Sequence, residues 1–470
     1  MKQKLLFLIL VLCAWLPMTA QTTPLIHVTQ ADALDYAKQL FKDVDADYFA
    51  IENGTSKAWK IFVDPEPMRG WEHDCYLISV DKQAPLFPKV LTVSIDSLRT
   101  PPSGNYIPVS VKNRYGDKSS SKPAVRKQTL TNDASIAAQR TYAIILNGGI
   151  SLLSNHERYW NDCSFIYQTL VNRYGVPKDN IYPLMSDGTN PDFDIRCTAG
   201  GYMTQSLDLD FDGENEIKLA ATKANVRSTL SSLASKMEKD DHLFIYVIDH
   251  GGTNDYNTNS YICLWGNESL YDYELAEMLT PFTSKLVNVN VVLGQCFSGG
   301  FIDNLTKTGC VVAAASKGSE SSWACSKIPY DEFVYRWTCA VNGADHLGQA
   351  IKADTDNNGR VTMDEAFLYA KRHDIKDEHP QYVSTPRSVG EDLAFNHLAP
   401  SIDLYLKDNP EDTGKEPNMT TDKFWISPSI WIRNKADGIY EHENPYYSED
   451  HPAATIYVRV SLLSTKNGRG

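Results

Sequence analysis

The chain is poor in several things that would each have fixed its class. No two of its nine cysteines stand as a Cys-x-x-Cys pair, which argues against a zinc knuckle or a dithiol redox motif. Beyond Cys13 the thiols are scattered from Cys75 to Cys339, unlike a small disulfide scaffold, and their pairing cannot be read from spacing. Basic charge is also short. The 45 Lys and Arg are outnumbered by 59 Asp and Glu, for a net charge of −14, so nucleic acid is not an expected partner, because neutralising phosphates takes clustered cations. Long apolar runs are missing beyond Leu16, and no integral membrane segment is expected once the leader is removed. Hydrophobic content of 42% and charged content of 22% exclude wholesale disorder. A length of 470 residues implies roughly three domains.

The first 20 residues read as a signal peptide. Lys2 and Lys4 precede an apolar run from Leu5 to Leu16, and Thr19-Ala20 offers a small-residue cleavage site. Leu12 before Cys13 is larger than lipoprotein processing prefers. The expected location is therefore secreted or periplasmic.

Residues 24–110 read as a small α+β module, with a helix over Ala31–Val44 and strands over Trp59–Val63 and Cys75–Val80. Residues 111–140, rich in Lys, Ser, Asn and Asp, read as an exposed linker of the kind proteases cut. From residue 141 to 400 apolar strands alternate with helices. Strands are expected at Tyr142–Leu146, Ile181–Met185, His242–Ile248, Val289–Leu293 and Cys310–Ala315. Helices are expected at Glu157–Tyr174, Ala224–Met237 and Tyr330–Val341. Continuous apolar strands separated by helices imply an α/β fold with a doubly wound, mainly parallel sheet covered on both faces. Residues 401–470 read as a linker and a partial β region. Its stretches Phe424–Ile432 and Ala454–Val460 are too few for a core of their own, which suggests either an incomplete β-sandwich whose remaining strands lie beyond Gly470 or a short tail docking on the catalytic domain.

In such a sheet, ligands gather at the carboxyl ends of strands. Two strand ends carry reactive residues: Asp249-His250-Gly251-Gly252 and Gly294-Gln295-Cys296-Phe297-Ser298-Gly299-Gly300. If the two strands are neighbours, an imidazole and a thiol share one edge. The thiolate is the nucleophile, and a free thiol with a pKa near 8.5 needs a nearby imidazole to reach it at neutral pH. The flanking glycines allow close approach of a peptide, with the Gly251 and Cys296 N–H groups as candidate oxyanion donors.

The stretch from Tyr142 to about Gly343 resembles the legumain family of the caspase-like clan of cysteine peptidases. The order apolar strand, His-Gly, apolar strand, Cys, Ser-Gly is the same. Asn155 and Arg158 resemble an Asn and Arg lining the legumain active site, with one extra residue between them. Glu320-Ser321-Ser322-Trp323-Ala324-Cys325 is similar to a Glu-Ser-Ser-Tyr-Ala-Cys segment, and Asp331 precedes Trp337 at the spacing of a specificity-pocket Asp. The resemblance implies a caspase/haemoglobinase-like fold and a polypeptide substrate. It implies His250, Cys296, Gly251 and Asn155 in catalysis, with Asn155 positioning His250. Arg158, Ser321, Ser322 and Asp331 would bind substrate, in a pocket suited to Asn or to protonated Asp. Legumains carry an acidic residue two positions before the catalytic Cys, whereas this chain has Gly294, which opens the alternative of Arg or Lys. The N-terminal module resembles PepSY-like propeptides through Gly70–Tyr76, implying a zymogen; legumains carry a C-terminal prodomain instead, and the competing reading is an adhesion or localisation module.

No organic cofactor is expected, but Ca2+ is. Asp354, Asp356, Asn358, Arg360 (through its carbonyl), Thr362 and Glu365 fill the ligand positions of an EF-hand loop, with Gly359 at the sharp turn. Helices are expected on both sides, His346–Ala353 and Asp364–Arg372. Asp208, Asp210, Asp212 and Glu216 open like a second loop, but Leu219 stands where the bidentate acid belongs. The reading that results is a secreted cysteine endopeptidase. The alternatives are a transamidase or ligase using the same dyad, and an inactive calcium-dependent binding protein.

Overall fold

The computed structural model describes residues 24–399 apart from short breaks at 53–55, 70–72, 87–90, 100–104, 116–121, 199 and 255–257, together with strands Ser401–Tyr405 and Tyr457–Ser461. The signal-peptide reading and the expected strand Phe424–Ile432 lie outside the described residues. Two compact units form. One comprises Met1–Pro67 and His73–Lys112, the other Met68–Glu72 and Asn113–Gly470.

The first unit is α+β. Helix Gln30–Leu40, started by a Thr29/Asp32 capping box, buries Ala33 and Ala37. These residues share a core with Ile61, Val63, Ile78 and Val80. The antiparallel sheet beside it has five strands in the order Val93–Leu98, Cys75–Asp81, Ala58–Asp64, Asp47–Glu52 and Asn105–Ser110. Three of those strands were not apparent in the sequence: the two edges, Val93–Leu98 and Asn105–Ser110, and the interior strand Asp47–Glu52.

The second unit is built on a six-stranded, mainly parallel sheet. Its order is Gln381–Ser384, Val311–Ala314, Asn288–Leu293, His242–Val247, Thr141–Asn147 and Ile181–Met185. Every pairing is parallel except that of the first strand with Val311–Ala314. Side chains of a strand alternate between faces, so the unbroken apolar run His242–Val247 feeds two cores at once. Phe244, Tyr246 and Ile248 pack with Tyr159, Phe333 and Trp337, carried by helices Glu157–Gln168 and Glu332–Asn342. Leu243, Ile245 and Val247 pack with Leu230, Leu233, Leu279 and Phe282, carried by helices Lys223–Lys236 and Asp272–Thr283. The indole of Trp337 stacks on Phe244 at 5.5 Å. This is the doubly wound α/β architecture that the sequence pattern implies. Among the described residues no helix is long and apolar enough to cross a membrane.

Two expectations change. Part of the stretch read as linker is helix Asn132–Gln139, which buries Ala134, Ala137 and Ala138. The helix expected at His346–Ala353 does not form. Gly343 ends the preceding helix at φ 69°, and Gly348 sits at φ 84°. The Asp345 carboxylate accepts from Leu347 N and Gln349 N, a local side-chain turn that competes with helix for the same N–H groups. The loop 354–365 therefore has a helix, Met363–His373, only on its exit side.

Candidate active site

The sheet brings the two reactive segments together. Val247 and Leu293 are register partners in adjacent parallel strands, so His250 and Cys296 each follow three residues past the same level of the carboxyl edge. The segments touch: a Cβ on Gly251 would lie 2.4 Å from the Cys296 carbonyl oxygen, so only glycine fits there. Gly251 also opens a three-stranded antiparallel sheet of Gly251–Thr253, Ser260–Leu264 and Glu268–Tyr271.

Cys296 is fully buried, and its sulfur accepts from Ser322 N–H at 3.2 Å. Burial pushes its thiol up from the ordinary value. The Ser322 N–H and hydroxyl, the Ser321 hydroxyl and the Arg69 charge pull it back. The buried thiol of Cys310, with only Thr308 opposing burial, is pushed up to about 12. The difference between the two is the set of donors around the sulfur.

His250 is held in a polar cage. Its Nε2 lies 2.6 Å from the Ser154 carbonyl, and the Tyr159 hydroxyl lies 3.2 Å from Nδ1. The His156 ring packs edge-on at 5.4 Å. The carbonyl on His250 belongs to Ser154, the residue before Asn155. The Asn155 amide turns away and donates to Ser186 Oγ at 2.6 Å and to Asp194 O at 2.8 Å. Asp249 fastens this edge, its carboxylate accepting from the N–H groups of Gly148, Gly149 and His250.

Arg158 and Asp331 meet as a buried pair, with Arg158 Nε 3.1 and 3.0 Å from the two carboxylate oxygens. Burial pushes the Asp331 carboxyl up while the Arg158 charge holds it down. Asp331 N–H also donates to Asp162 at 2.9 Å. Burial and the Asp331 charge raise the Asp162 carboxyl well above the usual range. Arg158 Nη2 lies 3.3 Å from the Tyr159 hydroxyl. One polar chain thus runs from Asp162 through Asp331, Arg158 and Tyr159 to His250. At Gly294 a Cβ would fall 2.6 Å from Val334 and 2.9 Å from Ile248. No carboxylate fits at that position without repacking.

Tyr159, Ser154 and Glu378 were missed in the sequence. Glu378 accepts from Trp323 N–H at 3.0 Å. Tyr159 looks like any core aromatic on a helix, and a carbonyl carries no sequence signal. Asp249, beside His250 in the motif, was legible but unassigned.

The two acidic loops differ. In the first, ligand oxygens of Asp354, Asp356 and Glu365 lie within 4.8 Å of one another. Gly359, at φ 84°, donates its N–H to Asp354 at 2.9 Å, and Asn358 Oδ1 accepts from Arg360 N–H at 2.8 Å. Thr362 caps the exit helix, reciprocally bonded with Glu365. In the second, Asp208 accepts from Phe211 and Gly213 N–H groups, while the Lys178 ammonium reaches Asp210 at 3.0 Å, Asp212 at 2.6 Å and Glu216 at 3.2 Å. Ligand oxygens of Asp208, Asp210, Asp212 and Glu216 also lie within 4.8 Å of one another. In the first unit, buried Asp64, His73 and Cys75 also cluster within 4.8 Å.

A six-stranded, mainly parallel sheet with helices on both faces is the architecture of a caspase-like fold. Residues 141–389 match the Peptidase C13 family, and the chain belongs to that family of cysteine peptidases. It is similar to human legumain, with 28% identity over 261 residues, covering 51% of this chain and 56% of the relative. Bovine legumain matches with the same coverage at 25% identity. The chain thus spans about half the length of the curated relatives it matches. A solved protein from Geobacter sulfurreducens overlaps at a TM-score of 0.33 and 13% identity, over 52% of this chain and 93% of that one.

Proposed function

We propose that the protein is an exported cysteine endopeptidase made as a zymogen, with Cys296 as nucleophile and His250 as general acid–base. The observation that carries this reading is the placement of both residues past register-matched ends of adjacent strands, with the Gly251 backbone against the Cys296 carbonyl. In the reaction the Cys296 thiolate attacks the peptide carbonyl. The Gly251 and Cys296 N–H groups receive the oxyanion. His250 protonates the departing amine and then takes a proton from the water that cleaves the thioester. The Ser154 carbonyl and Tyr159 hydroxyl hold the imidazole. The Arg158/Asp331 pair offers a donor and an acceptor to a side-chain amide, which supports a preference for Asn before the cleaved bond, because a site built to pair an amide rejects residues lacking one.

The test is a peptide-library digest with wild type and Cys296→Ala. Cleavage after Asn that vanishes in the variant is expected. Equal cleavage by both proteins would sink the assignment of Cys296, and cleavage confined to Arg or Lys at that position would overturn the amide pocket.

We also propose that Asp354, Asp356, Asn358, the Arg360 carbonyl and Glu365 hold a structural Ca2+. The converging carboxylates and the left-handed Gly359 support it. At free calcium a hundredfold above Kd, binding adds about 2.7 kcal/mol. The melting temperature is expected to rise with calcium in wild type and not in Asp354→Asn/Glu365→Gln. No calcium dependence in wild type would remove the site.

A further inference from the structure

The stretch Met68–Glu72 belongs to the catalytic unit although the chain on either side of it does not. Its described residues, Met68 and Arg69, lie along the segment that contacts the nucleophile. Arg69 forms an antiparallel bridge with Trp323, and Ala324 N–H donates to the Met68 carbonyl at 3.0 Å. Arg69 Nε donates to Ser321 Oγ at 2.9 Å, and its guanidinium carbon stands 5.7 Å from the centre of the Trp323 ring. The Met68 sulfur receives the Tyr115 hydroxyl at 3.8 Å.

Direction and register give this contact its meaning. Met68 faces Ala324 and Arg69 faces Trp323, so the chain runs towards Ser322, whose N–H touches the Cys296 sulfur. An extended peptide that pairs antiparallel with an open strand edge, residue by residue, is the recognition mode of strand addition. A peptide held in this register approaches the nucleophile with its carbonyl side leading. Its arginine then stands second before the bond that the residue opposite Ser322 presents to the sulfur. The wall around that side chain suits a guanidinium: a hydroxyl acceptor from a buried serine and the face of an indole.

We propose that Met68–Arg69 is an internal peptide held in the acyl-side half of the substrate channel, and that the subsite formed by Ser321 and Trp323 takes an arginine or lysine side chain as the second residue before the cleaved bond. This deepens the peptidase reading and rests on it. It leaves the Arg158/Asp331 pocket to the residue immediately before that bond.

Two measurements on the full chain test it. The first is the rate at which iodoacetamide labels Cys296, followed by mass spectrometry in wild type, Arg69→Ala and Arg69→Lys. Loss of one charge-assisted hydrogen bond and one cation–π contact should speed labelling about tenfold in Arg69→Ala, with Arg69→Lys close to wild type. The second is a peptide library cleaved by Arg69→Ala, read two positions before the cut. Arg and Lys should be enriched there, and adding Ser321→Ala should raise KM for those peptides more than for neutral ones. Equal labelling of wild type and Arg69→Ala would overturn the internal occupant, and a library with no basic preference at that position would overturn the subsite. Loss of the peptidase reading looks different: no peptide is cleaved by any variant, while the labelling ratio still reports whether Arg69 sits at the thiol.

Discussion

One strand is flanked by two buried histidines that have little else in common. His242 opens the strand and His250 follows its end, and both are essentially inaccessible, at 0% and 1% exposure. His242 lies in hydrocarbon. It stacks on Phe395 at 5.4 Å and stands 6.4 Å from Phe244, and neither ring nitrogen has a hydrogen-bond partner among the described residues. Burial lowers its pKa to about 3. His250 faces the Ser154 carbonyl, the Tyr159 hydroxyl and the His156 ring. Burial alone therefore does not mark a functional histidine. At the carboxyl edge of a parallel sheet the strands give way to loops that gather polar groups, and here they converge around one imidazole. At the amino edge the same residue type fills space.

The largest effects should separate the two rings. His250→Ala is expected to lower kcat/KM per folded molecule by about 10²- to 10⁴-fold. His242→Ala should do the reverse, costing about 2–4 kcal/mol of stability through the cavity it leaves while activity per folded molecule persists. Loss of activity at constant fold in His242→Ala would break the comparison. Next in size is the pair behind the cage. Arg158→Met leaves the Asp331 charge buried without its partner, which should destabilise by about 3–5 kcal/mol in denaturant melts. A neutral outcome would mean the pair is solvated in solution. The smallest effect per unit of condition is the acid limb. The folded pKa of His242 lies below the ordinary 6.5, so between pH 6.5 and 3 the unfolded chain binds a proton that the folded chain does not. Stability contributed by the neutral ring is present above pH 6.5 and falls as pH drops, by about 1.4 kcal/mol per unit. His242→Phe should flatten that slope, and an unchanged slope would assign it to other groups.

Much of this was legible in the chain. The strand at Ile181–Met185 falls where its apolar run ends, and the central strands deviate by a residue or two, because fully buried parallel strands are written as continuous hydrophobic stretches. The His-Gly and Cys-x-Ser-Gly-Gly strand ends could be read as a dyad from the rule that sites form at the carboxyl edge. The Ser154 carbonyl beside His250 could not be read, since main-chain acceptors have no signature in sequence. The helix at His346–Ala353 was expected from composition but yields to Asp345 and two left-handed glycines. The second acidic loop was readable as oxygen ligands, but the approach of Lys178 to Asp210, Asp212 and Glu216 could not be foreseen.

The sequence by itself determined the alternating strands and helices, the two reactive strand ends and the donor set of the loop at 354–365, because periodicity and local spacing are properties of neighbouring residues. Only the tertiary structure decided which strands are adjacent, that Tyr159 links the Arg158/Asp331 pair to His250, and that Arg69 bridges Trp323 in the segment touching Cys296. Those contacts join residues far apart along the chain, and closing such distances depends on how the whole sheet and its helices pack, which no local pattern records.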